Sequence, residues 1–339
     1  MDRPSRTSAW CCMGSSGPHL DGRSPEMSVV LVTDTYEEIL PVIERFRAQT
    51  ARERLEIVLV SPAGDRVRPG AGDTDLDCFA RVQMVEAAFP LALGEARATG
   101  VRAASAPLVF IGETHSFPHP RMAELLIEAH RGGWTAVVPG FGNANPDQTA
   151  SWAGFLLDYG AWSPSVEAGT LSHAPMYNAS YRRSALLEFG DRLGSALRGG
   201  DEMANGLRAQ NHRVYFEPSA KIDHLNVTNP AAWVRDRFLS GVLIAAARAR
   251  RWSRRRRLLY ACASPLLPGV YLSNVRAGVR AWRRDQALPL GTLPLVVVGA
   301  VIKGLGEMTG YARGTEGTAD EVMTDLELHR SAYASMPSR

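Results

Sequence analysis

The sequence predicts an α/β fold in which a mostly parallel sheet is flanked by helices. Short, nearly continuous apolar runs alternate with helix-like segments between residues 27 and 141. Strands that are apolar along their whole length are typical of parallel sheets covered on both faces. The composition agrees with a sizeable core, because 45% of the residues are hydrophobic and 22% are charged.

The first elements follow an N-terminal extension, residues 1–26, which is rich in Ser, Gly, Pro and Arg. We expect this extension to be disordered because it offers no periodic apolar pattern. A β-branched run at 28–34 predicts the first strand, and the apolar spacing within 37–50 predicts a helix. A second buried strand is predicted at 55–62, and residues 77–89 are interpreted as helical.

The same alternation continues with a helix at 93–105, a strand at 106–113, a helix at 121–133 and a strand at 135–141. In open sheets of this kind, ligands bind beyond the carboxyl ends of the parallel strands. The polar residues at such ends are Thr33, Asp34, Ser61, Glu113 and His115. The sequence therefore predicts a functional site at this edge of the sheet.

The C-terminal third has a different character. Thirteen arginines and only two aspartates lie between Ala231 and Leu288, although the formal net charge of the whole chain is only +3. Such an asymmetry suggests a polyanionic partner for this segment. Two uncharged stretches, 258–275 and 286–302, contain prolines and do not exceed the roughly 20 apolar residues of a spanning helix.

We interpret residues 231–314 as broken helices that lie in a membrane interface, with the arginines facing anionic headgroups. The alternative is a basic helix in water that caps the α/β domain and buries the apolar stretches. Residues 315–339 are polar and are expected to fray.

Four cysteines without a C-x-x-C pair, Cys11, Cys12, Cys78 and Cys262, argue against a disulfide framework or a zinc site and fit a reducing cytosol.

A candidate metal site lies in the stretch "IGETHSFPHP", where Glu113 and His115 follow the strand "APLVF". Side chains two residues apart on an extended segment point the same way, so this pair can face one ion. Carboxylate and imidazole are ligands for Mg²⁺, Mn²⁺ or a borderline metal. A hydrogen-bonded pair in a loop is the other interpretation of such a spacing.

Five further residues are candidates, each with a structural alternative. Arg97 on the helix before the strand can reach phosphate oxygens or face solvent, and Asn178 precedes a helix in a segment that favours a turn. Asp201 and Glu202 follow a glycine pair, so they are either helix-capping residues or a general base. His224 follows a predicted strand and is either structural or a third metal ligand.

Taken in order, these segments resemble the family 2 inverting glycosyltransferases, which have a GT-A nucleotide-sugar-binding fold. The resemblance covers residues 27 to about 230. It is carried by the strands at 28–34 and 55–60 and by "ARATGVRAAS" (96–105), "PLVFIGETH" (107–115), "NASYRR" (178–183), "GDE" (200–202) and "FEPSAKIDH" (216–224). The stretch "GLGEMTGYARG" (304–314) is similar to the tail of membrane-associated bacterial members.

The resemblance implies a role for each candidate. Thr33 and Asp34 would lie near the base and ribose of a nucleotide, and Arg97 would approach the donor. Asn178 would lie on the acceptor side. The family's Asp-x-Asp metal motif would correspond to Glu113 and His115, and the histidine after the last strand to His224. The acceptor-side acids would be Asp201 and Glu202, with Asp201 narrowly favoured as the base.

The chain departs from the family pattern at three points. Neither aspartate of the metal motif is present, and the acid after the second strand is replaced by "SPAGD", which leaves Asp65 as a stand-in. The Gln-x-x-Arg-Trp motif of processive polysaccharide synthases has no counterpart. The resemblance thus implies a non-processive enzyme that uses Mn²⁺ or Mg²⁺, unless positive side chains replace the metal.

The implied activity is transfer of a sugar from a nucleotide-sugar donor to a hydroxyl acceptor with inversion, at the cytoplasmic face of the membrane or in the cytoplasm. The acceptor would be polyprenyl-linked or a polysaccharide precursor. A catalytically degenerate sugar-nucleotide-binding or scaffold protein is the alternative. A dinucleotide-binding oxidoreductase is disfavoured because "TDTYEE" replaces a glycine-rich turn after the first strand. No nucleic-acid partner is expected, since the arginines lack interleaved aromatic residues.

Overall fold

The fold is taken from a computed structural model that describes residues 24–62, 76–88, 92–199, 201–285, 288–314 and 317–335. The predicted disorder of residues 1–23 and the candidate Asp65 lie outside the described residues.

The centre of the molecule is a mixed sheet. Its strands are β1 (Met27–Val32), β2 (Leu55–Ser61), β3 (Arg81–Glu86), β4 (Leu108–Ile111), β5 (Ser116–Pro118), β6 (Ala136–Asn143), β7 (Gly169–Leu171), β8 (Ala179–Arg182) and β9 (Val214–His224). Their order is β3-β2-β1-β4-β8-β6-β9-β5, with β7 also paired to β9. Only β5, β7 and β8 run against the direction of the other described strands. The predicted α/β class with a mostly parallel sheet is therefore confirmed.

Helices flank this sheet and form the C-terminal third. They are α1 (Tyr36–Arg47), α2 (Leu93–Ala103), α3 (Met122–His130), α4 (Thr149–Asp158), α5 (Arg183–Leu187), α6 (Leu193–Ala196), α7 (Glu202–Ala209), α8 (Pro230–Ala249), α9 (Arg254–Ala263), α10 (Leu267–Asp285), α11 (Thr292–Arg313) and α12 (Gly317–Leu328). Local signals set several ends. The Thr35 side chain caps α1, the Asn229 side chain caps α8 ahead of Pro230, and Gly133 at φ +80° follows α3.

The segment 77–89 was expected to be helical, and this expectation is wrong. Residues Arg81–Glu86 form an outer strand that pairs in parallel with β2. The strand is only partly buried, and Met84 remains 39% exposed. The apolar residues of this segment fit the helical period and the strand period about equally well, so its local preference for a helix is weak. Pairing with the free edge of β2 overrides that preference.

A buried carboxylate anchors the approach to β4. Glu56 on β2 is fully buried and accepts hydrogen bonds from the Ser28 hydroxyl, from Gln83 Nε2 at 2.9 Å and from the Ser105 amide at 2.7 Å. These partners compensate the desolvation of the acid. Because Ser105 lies three residues before β4, the contacts fix the strand whose end carries Glu113.

Two C-terminal helices pack with their backbones in contact. A Cβ added to Gly306 of α11 would lie 2.1 Å from the Phe238 carbonyl oxygen of α8, and one added to Gly241 of α8 would lie 2.1 Å from the Lys303 carbonyl oxygen. Glycine at these positions therefore lets α11 seat directly on α8. No larger side chain fits there without moving a helix.

The outer face of α11 is apolar and exposed. Leu293, Val297, Val301, Leu305 and Met308 recur at helical spacing and are each 37–48% exposed. By length and composition, two helical stretches, Arg254–Arg276 and Thr292–Arg313, suffice to cross a membrane. The second is a continuous helix of 22 residues, longer than the uncharged stretch that predicted it.

The expectation that the polar C-terminal stretch frays is wrong for residues 317–335. This segment forms α12 and a 3₁₀ turn at Arg330–Tyr333, with Leu326, Leu328 and Arg330 all buried. Its apolar residues are few, but they pack on the core and its carbonyls meet polar groups of the α/β domain. We call residues 317–335 the C-terminal segment below.

Candidate metal centre and adjoining cavity

Strand pairing brings three predicted metal ligands together. Glu113 lies just beyond β4, His115 immediately precedes β5, and His224 ends β9. The antiparallel register of β5 and β9 sets Ser116 opposite His224, so residues more than one hundred positions apart become neighbours. All three side chains are buried, and one ligand atom from each lies within 4.8 Å of the others.

The ligand atoms face one another at distances too long for hydrogen bonds. Glu113 Oε2 is 3.6 Å from His115 Nε2 and 3.6 Å from His224 Nε2. His224 Nδ1 donates to Asn226 Oδ1 at 2.9 Å, which leaves the Nε2 lone pair directed at the cluster. Such a partner on the second ring nitrogen is the usual support of a metal-binding imidazole.

Several polar atoms in and beside this cluster lack partners among the described residues. Glu113 Oε1, His115 Nε2 and the nearby Glu327 Oε2 are buried without a hydrogen bond. Buried acceptors that remain unpaired are costly, and a cation placed among them removes this cost. The residues therefore fit a divalent metal ion. Two imidazoles beside a carboxylate match Mn²⁺ or another borderline metal better than Mg²⁺, which prefers an all-oxygen shell.

The electrostatics of the cluster point the same way. Burial, followed by the charge of Glu327, raises the pKa of Glu113 to about 7. Burial lowers the pKa of His224 to about 3 and holds the pKa of His115 well below its ordinary value. At neutral pH both imidazoles are thus neutral and able to act as ligands, while the carboxylate needs a cation to favour its charged form.

Asn178, predicted on the acceptor side, lies against Glu113. Its Nδ2 donates to Glu113 Oε2 and, at 2.9 Å, to Ser116 Oγ, which itself donates to Glu113 Oε2 at 2.9 Å. Asn178 has φ +55°, a left-handed conformation that asparagine tolerates better than most residues. The fully buried amide therefore orients the Glu113 carboxylate.

A cavity of about 440 Å³ adjoins the cluster. Its wall includes His224 and the nearby Glu327, but not Glu113 or His115. Ten charged side chains are among its lining residues. The cations are Arg97, Arg198, Arg237, Arg248, Lys303 and Arg330, and the anions are Asp158, Asp201, Asp236 and Glu327. Apolar residues of α8, Leu243 and Ile244, line it on the side of the C-terminal helices. The lining holds two more cations than anions, which favours an anionic ligand, although four of the cations are paired with these acids.

Arg97 is held rigidly in this wall. Its guanidinium lies 4.7 Å from the centre of the Tyr177 ring, and Nη1 donates to the Leu197 carbonyl at 3.3 Å. Its Nε is buried and has no hydrogen-bond partner. A guanidinium fixed by stacking with a free donor is suited to phosphate oxygens.

The structure separates the two predicted acids. Asp201 lines the cavity and forms a two-pronged contact with Arg248, with Nε–Oδ2 at 2.6 Å and Nη2–Oδ1 at 3.3 Å. Its side chain makes no capping hydrogen bond to α7. Glu202 instead accepts from Ser195 Oγ at 2.8 Å, lies 4.0 Å from Arg192 and is not part of the cavity wall.

Thr33 and Asp34, predicted near a nucleotide, lie at the end of β1 beneath the C-terminal segment. Thr33 is fully buried and donates to the Thr35 carbonyl at 2.6 Å. An Asp34 oxygen is 3.0 Å from His329 Nε2. Neither residue is part of the cavity wall, so the structure does not bring them together with Arg97 and Asp201.

Sequence reasoning missed a chain of buried ion pairs that leads to the cluster. Lys303 and Arg237 both bind Asp158, Arg237 binds Asp236, and Arg330 joins Asp236 to Glu327. These residues come from α4, α8, α11 and the C-terminal segment, so no local motif connects them. The spacing of Val322 and Leu326 was the one signal that could have predicted α12.

Comparisons with known proteins add little to this geometry. No model of a known protein family matches the chain, and no curated protein matches it either. Among solved structures, the crystal structure of GalNAc-T7 with UDP, GalNAc and Mn²⁺ is similar with a TM-score of 0.43 and 14% sequence identity. The similarity covers 60% of this chain and 44% of that one, so the chain spans less than half of that protein. A similarity of this size does not extend to residues or to function.

Proposed function

We propose that this chain is a glycosyltransferase that moves a sugar from a nucleotide-sugar donor to a hydroxyl acceptor with inversion. One observation carries the proposal. A buried Glu/His/His cluster with unpartnered polar atoms adjoins, through His224, a cation-rich cavity that also holds the carboxylate of Asp201. Sugar transfer needs positive charge beside the diphosphate leaving group and a base beside the hydroxyl nucleophile, and this cavity brings both kinds of group together.

The donor diphosphate would lie where Arg97 and Arg330 meet the cluster of Glu113, His115 and His224. A divalent ion bound there supplies charge neutralisation for the departing phosphates. Arg97 would bind and orient the diphosphate, since it lines the cavity and the Tyr177 ring already restricts its guanidinium. Because these groups are already ordered, they need not be reorganised in the transition state, and this preorganisation supplies part of the rate acceleration.

Asp201 would act as the general base. The acceptor oxygen bonds to the anomeric carbon from the face opposite the diphosphate, the bond from that carbon to the diphosphate oxygen breaks, and Asp201 takes the hydroxyl proton. Arg248 holds the carboxylate at the cavity wall through both oxygens, and each oxygen keeps a lone pair for the incoming proton. This arrangement supports Asp201 rather than Glu202.

A thermal-shift screen tests the donor and the metal together. The full chain should be stabilised by one class among UDP-, GDP-, dTDP- and CDP-sugars, and the shift should be larger with Mn²⁺ than with chelator, because ligands that bind only the folded state raise its unfolding temperature. A donor-hydrolysis assay on the same samples separates an enzyme from a degenerate binding protein. Absence of any shift across the panel would contradict the proposal.

The acceptor is proposed to be lipid-linked, at the cytoplasmic face of a membrane. The exposed apolar stripe on α11 and the arginines around α9 provide the two contacts that interfacial binding needs. Leu243, Ile244 and Tyr271 line the cavity on the side of these helices and offer an apolar wall to an acceptor of that kind. A membrane-bound acceptor would then reach the cavity without leaving the lipid surface.

Vesicle sedimentation tests this placement. The full chain should sediment with vesicles that contain phosphatidylglycerol and much less with pure phosphatidylcholine, because each arginine near an anionic surface contributes about 1 kcal/mol. Replacing four exposed arginines should weaken binding at least about tenfold. These substitutions are Arg250→Gln, Arg251→Gln, Arg254→Gln and Arg255→Gln.

The matched control changes four exposed arginines on the α/β domain and should leave vesicle binding unaltered. It consists of Arg45→Gln, Arg52→Gln, Arg121→Gln and Arg131→Gln. Equal sedimentation of the unmodified chain and both variants with the phosphatidylglycerol vesicles would show that the arginines are not membrane contacts.

A further inference from the structure

The C-terminal segment ends directly on the metal centre. Thr114, which lies between Glu113 and His115, donates its hydroxyl to the carbonyls of Glu327 and Leu328, each at 3.1 Å. Leu326 and Leu328 are buried on either side of this contact. The segment is therefore held by the same loop that carries two of the proposed ligands.

The Glu327 carboxylate points at the cluster. Its Oε2 is 3.8 Å from His115 Nε2 and is buried without a hydrogen-bond partner. Its Oε1 accepts from Arg330 Nη2 at 2.6 Å, and Arg330 is in turn 3.5 Å from Asp236 of α8. The arginine thus fixes one oxygen of Glu327 and leaves the other free to face His115.

Two carboxylates therefore approach one neutral imidazole from different parts of the chain. Glu113 Oε2 and Glu327 Oε2 lie 3.6 Å and 3.8 Å from the same His115 Nε2, so the two carboxylates repel each other in this buried setting. A cation between them replaces this repulsion with two favourable contacts. Protein metal sites with two imidazoles commonly add carboxylate oxygens at similar positions.

We propose that Glu327 is a fourth protein ligand of the metal centre, so that the ion and the docked C-terminal segment stabilise each other. The existence of the metal centre rests on the proposed function. The inference adds that Glu327 is a ligand and that metal binding is coupled to docking of the C-terminal segment. Metal binding at Glu113, His115 and His224 holds the segment over the cavity. By linkage, a docked segment raises the affinity for the metal by the same factor.

The test measures Mn²⁺ binding to the full chain by calorimetry, with Glu327→Gln as the variant. Loss of a ligand should weaken Mn²⁺ binding at least about tenfold. Glu321→Gln is the matched control, because Glu321 is exposed on the same helix and its substitution removes the same charge. Its Mn²⁺ affinity should equal that of the unmodified chain. Glu327→Asp keeps the charge on a shorter side chain and should lose less affinity than Glu327→Gln.

Hydrogen–deuterium exchange supplies a readout that does not depend on activity. Mn²⁺ should slow exchange in peptides from residues 317–335 of the unmodified chain and of Glu321→Gln, but not of Glu327→Gln. Unchanged Mn²⁺ affinity and unchanged protection in Glu327→Gln and Glu327→Asp would overturn the inference and leave the three-residue centre standing. Absence of Mn²⁺ binding by the unmodified chain would overturn the metal centre of the proposed function as well.

Discussion

Glu113→Gln is expected to abolish detectable Mn²⁺ binding and sugar transfer together. The substitution keeps the size of the side chain, but it removes the charge that faces two neutral imidazoles at 3.6 Å. Loss of the central anionic ligand should weaken binding by more than about 100-fold, beyond the range seen for supporting residues. Calorimetry with Mn²⁺ and a transfer assay with and without chelator would measure both effects.

The control for this variant is Glu128→Gln, which removes an exposed charge from α3 without touching the cluster. It should bind Mn²⁺ as the unmodified chain does. Chelator should remove transfer from the unmodified chain, and Mn²⁺ should restore it more fully than Mg²⁺ because of the two imidazole ligands. Full transfer in chelator would mean that the arginines of the cavity neutralise the leaving group on their own.

Asp201→Asn is expected to lower the transfer rate about 10²- to 10⁴-fold, the usual contribution of a general base. Asparagine keeps the shape of the side chain and can still accept from Arg248, but it cannot take the acceptor proton. Donor binding, measured by titration with the nucleotide diphosphate, should change little because the phosphates are held by other groups. A fall in rate without a matching fall in donor affinity is the signature of a group that acts in the reaction step.

The paired control is Glu202→Gln, the neighbouring acid that bonds to Ser195 away from the cavity. Its transfer rate should stay close to that of the unmodified chain. If Glu202→Gln lost the rate and Asp201→Asn kept it, the base would be Glu202 and the orientation of the start of α7 would have to differ during the reaction.

Local patterns were sufficient for the strands that are buried throughout and for the helices that flank them. β1 and β2 are mostly apolar and are buried along their whole length, so their class and the position of their carboxyl ends follow from the sequence. β3 was missed because its identity depends on a partner rather than on its own residues. Its pairing with β2 is a tertiary contact that no local window contains.

The same distinction applies to the site. The Glu113–His115 pair was visible in a ten-residue window, and the separation of Asp201 from Glu202 depended on which way the first turn of α7 faces. Nothing near Glu327 or Arg330 indicated a role, because their partners lie on α8 and on the loop between β4 and β5. Residues that join a site only through long-range contacts carry no local sequence signal, so they are found only in the three-dimensional structure.

The close contact between Gly306 of α11 and the backbone of α8 bears on the proposed placement of the molecule at a lipid surface. Lys303 lines the cavity, and Leu305, two residues later on the same helix, is 48% exposed. The close packing of Gly306 on the Phe238 carbonyl fixes this helix against α8. In the proposed membrane placement, the depth at which α11 enters the lipid would therefore set the distance between the bilayer surface and the cavity.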